Sequence, residues 1–369
     1  MSSIKKLVFV WENFGPMHVD RCEAVAKNSS HEVIGVEFTS NSNTYDWNQD
    51  DSNFFKKITL FKNKQSQGIK LFIKLFYLRM KLGKSVWFLC HYELLGVYLF
   101  SCFLRILGDK VFTMGCSKFD DWERHSLKEA FKRFYFLPYH GAIGSGVRSR
   151  DYFRFHGISK DRIAVEYNTL SIQRIREMSG YESAPNGALY AERHFTIVAR
   201  LVPKKNLKMA LHAYAQYKKT NPYPRLLYIC GSGSLENELK ECAKSLNISE
   251  QVVFLGFVQT NEIAQILGTS LALILPSIEE QFGNVVIEAQ AMGLPVLISD
   301  VCGARDRLVR TAVNGFVFEP DNPEGLAWFM NLISTDQKLW QKMCNAAIET
   351  SKKGDVSMFA DGVKKLIEH

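Results

Sequence analysis

PSIEEQFGNVVIEAQAMGLPVLISD, residues 276–300, decides how the rest of the chain is read. It follows the apolar run LALIL (271–275), which has the length and composition of a buried parallel strand. Pro276 and Ser277 lead out of that strand into a polar loop carrying Glu279 and Glu280. A helix is predicted from Gly283–Asn284 to Gly293, a helix-ending glycine. PVLIS (295–299) then reads as another buried strand. Strand, loop, helix, strand is the unit whose ligand sits beyond the carboxyl ends of the strands. The N–H groups of Phe282, Gly283 and Asn284 fall at the helix start, where free donors and the helix dipole suit a diphosphate. Gly283 allows close backbone approach. Glu288, on the first turns, is placed to accept hydrogen bonds from two ribose hydroxyls, as acidic residues do in dinucleotide folds. Either glutamate taken alone also reads as an ordinary dipole partner.

The whole string resembles the signature of glycosyltransferase family 4, a retaining family of the GT-B fold. That signature runs Pro-Ser, Glu, Phe-Gly, a second Glu eight positions on, Ala, small residues, Gly and Pro-Val. Here these are Pro276-Ser277, Glu280, Phe282-Gly283, Glu288, Ala289, Gly293 and Pro295-Val296. A second string, ARLVPKKNLKMALHAYAQY (199–217), resembles the family's Gly-Arg-Leu…Lys-Gly/Asn motif, with Ala199 for the usual glycine. Arg200 ends a predicted strand and Lys205 precedes a predicted helix. An Arg fork and a mobile Lys charge there reach the same diphosphate; read alone, both sit on a solvated loop. Gly231-Ser232-Gly233 resembles a phosphate loop, although tight turns use the same pattern.

The resemblance implies two doubly wound Rossmann-like α/β domains facing each other across a central cleft. It implies a nucleotide-sugar donor, UDP- or GDP-linked, held mainly by the second domain. Arg200, Lys205 and Glu280 become the catalytic candidates. Phe282, Gly283, Asn284 and Glu288 become donor-binding candidates, together with Gly15 in the loop after the first strand. Transfer would proceed on the front face with retention, to a saccharide or lipid-linked saccharide acceptor of polysaccharide or O-antigen type. No Asp-x-Asp occurs in the chain, so neither metal nor cofactor is expected.

The length of 369 residues suits two domains. They are expected at 1–175 and 194–350, with a linker at 176–193 marked by Pro185-Asn186-Gly187, and a final helix in 351–369 crossing back to the first domain. Charged residues are 23% of the chain and apolar ones 46%, a globular balance that excludes a disordered or fibrous chain. The 8 cysteines lack metal-ligand spacing, and the first apolar run is too short for a secretory signal, so free thiols in a reducing cytosol are expected. LLGVYLFSCFLRIL (94–107) is broken by Arg105 and reads as a buried helix rather than a membrane span.

Net charge is +8, unevenly spread. Between Asp51 and Glu93 there is no acidic residue, while lysines, Arg79 and aromatic residues alternate. Residues 54–84 fit an anionic membrane surface, peripheral on the cytoplasmic face, or a solvated helix face packed on its apolar side. No nucleic-acid motif accompanies them, and no nucleic-acid partner is expected.

The first half departs from the family. Its first loop carries a single glycine, Gly15, near His18. Where many members place a strand-end histidine facing the donor sugar, this chain has Gly115-Cys116-Ser117. Ser117 and Asp121 read as helix caps. His91, His125, His140 and His156 read as ordinary core or surface histidines. These departures favour a rival, a catalytically inactive GT-B protein that binds a nucleotide sugar or serves as a scaffold. Intact Glu280, Arg200 and Lys205 argue against it.

Overall fold

A computed structural model gives the fold of residues 5–39, 52–62, 68–121 and 124–368. SNSNTYDWNQDDSN (40–53), whose polar composition reads as a long loop, lies outside them apart from its last two residues. The chain divides into two compact units. Unit 1 runs to Leu170 and resumes at Val356; unit 2 is Ser171–Asp355.

Unit 1 begins β1 (Lys6–Trp11), α1 (Pro16–Lys27), β2 (Glu32–Thr39), β3 (Lys56–Phe61), α2 (Ile69–Leu82) and β4 (Val86–Leu89). It continues α3 (Leu95–Ile106), β5 (Lys110–Gly115), α4 (Ser126–Phe136), β6 (Gly141–Gly144), α5 (Val147–Phe155) and β7 (Ile163–Ala164). The strands are parallel in the order β3-β2-β1-β4-β5-β6-β7. Strand periodicity of two sends alternate residues of β1 to opposite faces. Leu7, Phe9 and Trp11 enter one core; Val8 and Val10 enter the other. Helices α2 to α5 cover the Val8 face. The last helix of the chain joins α1 over the Phe9 face, as described below.

Unit 2 begins α6 (Ile172–Ser179), β8 (His194–Val198), α7 (Leu207–Thr220), β9 (Leu227–Cys230), α8 (Glu236–Ser245), β10 (Val252–Gly256) and α9 (Thr260–Gly268). It continues β11 (Ser270–Leu275), α10 (Val285–Ala291), β12 (Val296–Ser299), α11 (Arg305–Leu308), β13 (Gly315–Phe318), α12 (Pro323–Thr335) and α13 (Gln337–Ser351). Its sheet, also parallel, runs β10-β9-β8-β11-β12-β13. SLALIL of β11 is buried throughout, as a central strand covered on both faces must be. After Asp355 the chain returns to unit 1 as α14 (Val356–Glu368), whose Phe359, Val363 and Leu366 share a core with Phe9 and Val25.

Several expectations are corrected. The stretch read as a linker, 176–193, is folded into unit 2. Helix α6 precedes and enters it, burying Ile172 and Ile175. Arg176 Nε and Ser183 Oγ both donate to Ala291 O, at 2.9 and 3.0 Å, capping the end of α10. The units change over at Leu170 and Asp355 rather than at 175 and 350. RIAVEYN (162–168) reads in the sequence as a strand, but only Ile163–Ala164 forms one. Asn314-Gly315, a pair that in the sequence signals a tight hairpin turn, is a turn but not a hairpin, because β13 runs parallel to β12. Buried Asn314 instead donates to Leu308 O and accepts from Arg310 N, both at 2.8 Å. Neither Ser117 nor Asp121 caps α4, whose N-cap is His125; Asp121 accepts from Lys118 N and pairs with Arg124. All eight cysteines are free thiols, and three of them, Cys102, Cys116 and Cys242, are only half-buried.

Candidate functional site

A doubly wound sheet binds ligands where its strand order reverses, because the loops leaving the two central strands diverge there. In unit 2 that point lies between β8 and β11, whose chains leave toward β9 and β12 respectively. The loop after β8 carries Arg200 and Lys205, and the loop after β11 carries Glu280. All three catalytic candidates therefore come from the two loops flanking the switch point.

Backbone bonds hold the loops together. Ile278 N donates to Lys204 O at 3.0 Å. Asn206, in the left-handed conformation at φ 55°, donates through Nδ2 to Pro276 O at 3.2 Å and Pro320 O at 2.7 Å. From the other side Gly303 N donates to Glu280 O at 3.3 Å and Ala304 N to Phe282 O at 2.9 Å. Gly303 must be glycine, since a Cβ there would stand 2.0 Å from Gln281 O. Gly283 is equally constrained, with φ +100° and a would-be Cβ 2.8 Å from Leu275 Cδ2. Phe282 is buried beneath the loop and anchors it.

Within this frame Lys205 Nζ pairs with Glu280 Oε2, both side chains being largely shielded from solvent. Beside them Lys204 Nζ pairs with Glu279 Oε1 at 3.1 Å, a second rung that the sequence reading did not identify. Arg200 is exposed at the end of β8, between backbone bonds that pin Ala199 to Cys230 O and Leu201 to Ser232 O. The N–H groups of Phe282 and Gly283 donate to no acceptor among the described residues.

Glu288 sits on α10, one turn beyond Asn284. Burial pushes its carboxyl up to about 7, against a smaller downward pull from Arg174. Arg174 belongs to α6, in the region where no helix was predicted, so sequence reading missed this partner. Gly231 and Gly233 answer a packing need: a Cβ at either would stand 1.9 Å from Ala199 O or 2.4 Å from Leu201 O. The Gly-Ser-Gly turn is thus where the β9 loop presses against the Arg200 loop.

Gly15 lies in unit 1. It caps α1, and its N–H donates to His18 Nδ1 at 3.0 Å, so that donor is already engaged. His18 packs on Trp11 with ring centroids 4.7 Å apart, and burial holds its imidazole well below the usual range. The switch point of this sheet lies between β1 and β4. There lies His91, which in the sequence reads as an ordinary core or surface histidine. It stands just past the end of β4 at φ 61°, a conformation uncommon for a residue with a Cβ. Its Nδ1 is 3.3 Å from Glu93 Oε1 and its Nε2 3.8 Å from Glu12 Oε2. Burial alone would pull the imidazole down; the Glu93 hydrogen bond and the two carboxylate charges raise it overall. The sequence shows that Cys90-His91 follows the apolar run VWFL, but only the fold shows that this run pairs with β1.

Residues 184–354 match the family model for glycosyl transferases group 1. An uncharacterized glycosyltransferase of Methanocaldococcus jannaschii is 28% identical over 193 residues, 51% of this chain and 49% of that protein. The Escherichia coli UDP-Gal:alpha-D-GlcNAc-diphosphoundecaprenol alpha-1,3-galactosyltransferase is 34% identical over 127 residues, 34% of this chain and 32% of that protein. The matches cover about half or less of the length of these two relatives. Among solved structures, Anabaena HepE in complex with UDP superposes with a TM-score of 0.72 at 19% identity, over 99% of this chain and 100% of that one. The likeness establishes the fold: two parallel-sheet Rossmann-like units of the GT-B class.

Proposed function

We propose that the protein is a glycosyltransferase. It moves a hexosyl-type sugar from a UDP- or GDP-sugar to a saccharide acceptor, lipid-linked, with retention of configuration, in polysaccharide or O-antigen-type synthesis. The observation that carries this reading is the convergence of Arg200, Lys205 and Glu280 on one switch point. The Escherichia coli relative is named for a UDP-sugar donor and a diphosphoundecaprenol-linked acceptor, and the HepE structure holds UDP, which supports the donor and acceptor classes.

Breaking the glycosidic bond leaves negative charge on the departing diphosphate. Arg200 and Lys205 stabilise that charge, helped by the N–H groups of Phe282 and Gly283; in many enzymes such electrostatic stabilisation contributes more to the rate than any other effect. Diphosphate binding draws Lys205 from Glu280 and frees the carboxylate for the sugar hydroxyls. Glu288 holds the ribose. His91 serves as the strand-end histidine that the resemblance calls for, at β4 rather than after β5. With two cations on the diphosphate the reaction needs no metal, and a chelator leaves the rate unchanged. The protein works at a membrane surface on the cytoplasmic side, reached through the 54–84 stretch. Among the described residues no helix is long and apolar enough to cross a membrane.

The test is nucleotide release and sugar transfer with a panel of UDP- and GDP-sugars, with wild type and Glu280→Ala, in chelator-treated buffer with membrane extract as acceptor. Release from one donor that vanishes in the variant supports transfer. Tight nucleotide binding without turnover, the same in both proteins, rejects it in favour of the binding-protein rival.

A further inference from the structure

Helices α2, α3 and α4 lie side by side on one face of the unit 1 sheet. Phe76 of α2 meets Phe103 of α3 at 5.0 Å between ring centroids, and Tyr98 of α3 meets Tyr135 of α4 at 5.0 Å. Helices α2 and α3 each bury one stripe, Leu71, Leu75 and Leu78 on α2 and Val97, Phe100 and Leu104 on α3, while α4 buries Phe136 at its end. Each also shows a second apolar stripe to solvent, where an ordinary surface helix is polar.

On α2 the outward stripe is Ile69, Ile73, Tyr77 and Met80, with Ile69 and Tyr77 62% and 67% exposed. On α3 it is Leu95, Leu99 and Ile106. On α4 it is Leu127, Phe131 and Phe134, followed just past the helix by Leu137, with Leu127 71% and Phe131 67% exposed. Positions spaced three or four apart on each helix line up along its outer edge.

The charges beside these stripes have one sign. Lys70, Lys74 and Lys81 flank the α2 stripe, and Arg105 lies on α3. Lys128 and Arg133 border the α4 stripe on its two sides, and all six are exposed. The only acidic residue in the three helices is Glu129, which is buried and paired with Arg124 and Lys132. Elsewhere in the 54–84 stretch the side chains are partly engaged: Lys57 pairs with buried Glu37 at 3.3 Å, and Phe55 stacks on Phe14.

From this we infer that the outer face of α2, α3 and α4 docks on an anionic lipid bilayer, with the apolar stripes entering the interface and the flanking cations on the headgroups. The inference rests on the membrane contact proposed above and relocates it, adding α3 and α4 and leaving out β3. Protein interfaces are depleted of lysine at their cores, whereas apolar stripes edged by lysine and arginine suit a lipid surface.

Flotation of the full chain with vesicles tests this, using phosphatidylcholine alone and phosphatidylcholine with about one-third phosphatidylglycerol, at low and high salt. Wild type should float with the anionic vesicles only, and less at high salt. Phe131→Ser with Phe134→Ser, and separately Lys70→Glu with Lys74→Glu, should each weaken that binding about tenfold or more. All four residues are exposed or flank the stripe, so circular dichroism and the thermal midpoint should not change. Donor hydrolysis in lipid-free buffer should also be unchanged, which separates failure of docking from failure of the transferase reading. Undiminished binding by both variants overturns the inference. So does absence of vesicle binding together with self-association in light scattering that the variants abolish, which would make the face a protein contact.

Discussion

The two sheets reverse their strand order in the same way, between β1 and β4 in unit 1 and between β8 and β11 in unit 2. Their switch points are furnished differently. That of unit 2 is a backbone-clamped frame with two lysine–glutamate rungs and glycines where any Cβ would collide. That of unit 1 is aromatic, with Trp11, Phe14 and His18 packed together and His91 between two carboxylates. Shared topology fixes where a ligand can bind; the side chains decide which part of a reaction each place can serve. A frame of paired opposite charges suits an anion that displaces one partner. A histidine between carboxylates suits positioning of hydroxyl groups or a proton.

The division can be broken most sharply at Lys205. Lys205→Ala should lower kcat about a hundredfold, or about 3 kcal/mol, and weaken nucleotide binding in calorimetry. Adding Glu280→Ala should cost less than the sum of the single changes, since paired residues couple. Full additivity would show that the pair does not act as a unit. His91→Ala comes next. Transfer should fall by about tenfold to a hundredfold while nucleotide affinity stays at the wild-type value, because His91 belongs to the other switch point. An equal loss of nucleotide affinity would erase the distinction between the two places.

The smallest effect concerns Glu288. Its carboxyl is raised in the fold from 4.5 to about 7. Below the unfolded value it is neutral in both states and carries no penalty. As pH rises through the folded value, the unfolded chain has already released its proton and the folded chain must ionise a buried group, so stability falls. Glu288→Gln removes that loss. Glu288 as a residue is only half-buried, which softens the effect, so the variant should gain about 2 kcal/mol at pH 8 and nothing near pH 4. Thermal midpoints across that range decide it, and a constant difference would assign the effect to packing.

How far the sequence could be read follows from what each signal encodes. Buried runs such as KLVFVW and LALIL declare strands because length and composition suffice. The motif around Glu280 was legible because its residues lie close together in the chain. His91 was not, since its meaning arises only when β4 pairs with β1. Helix α6 was missed because IQRIREMS has only two turns and stands beside Pro185-Asn186-Gly187, which suggests a loop. Asn314-Gly315 signals a local turn, but it cannot say that the next strand joins its neighbour in parallel. Periodicity on α2 shows apolar residues at helical spacing without saying which of two apolar faces meets the core. The structure chooses Leu71, Leu75 and Leu78 and leaves Ile69, Ile73 and Met80 outside.

Helix α14 carries a consequence for biosynthesis. Unit 1 is discontinuous: its strands and first five helices come before Leu170, and the helix that covers α1 comes only after Asp355. A ribosome therefore makes all of unit 2 before it releases Phe359, Val363 and Leu366, and until then the core shared by Phe9 and Val25 lacks one wall. Domains usually close in the order of their synthesis. Here the continuous unit can close as soon as it has been made, while the earlier one waits for the last helix, so the first part of the chain to emerge is the last to be finished.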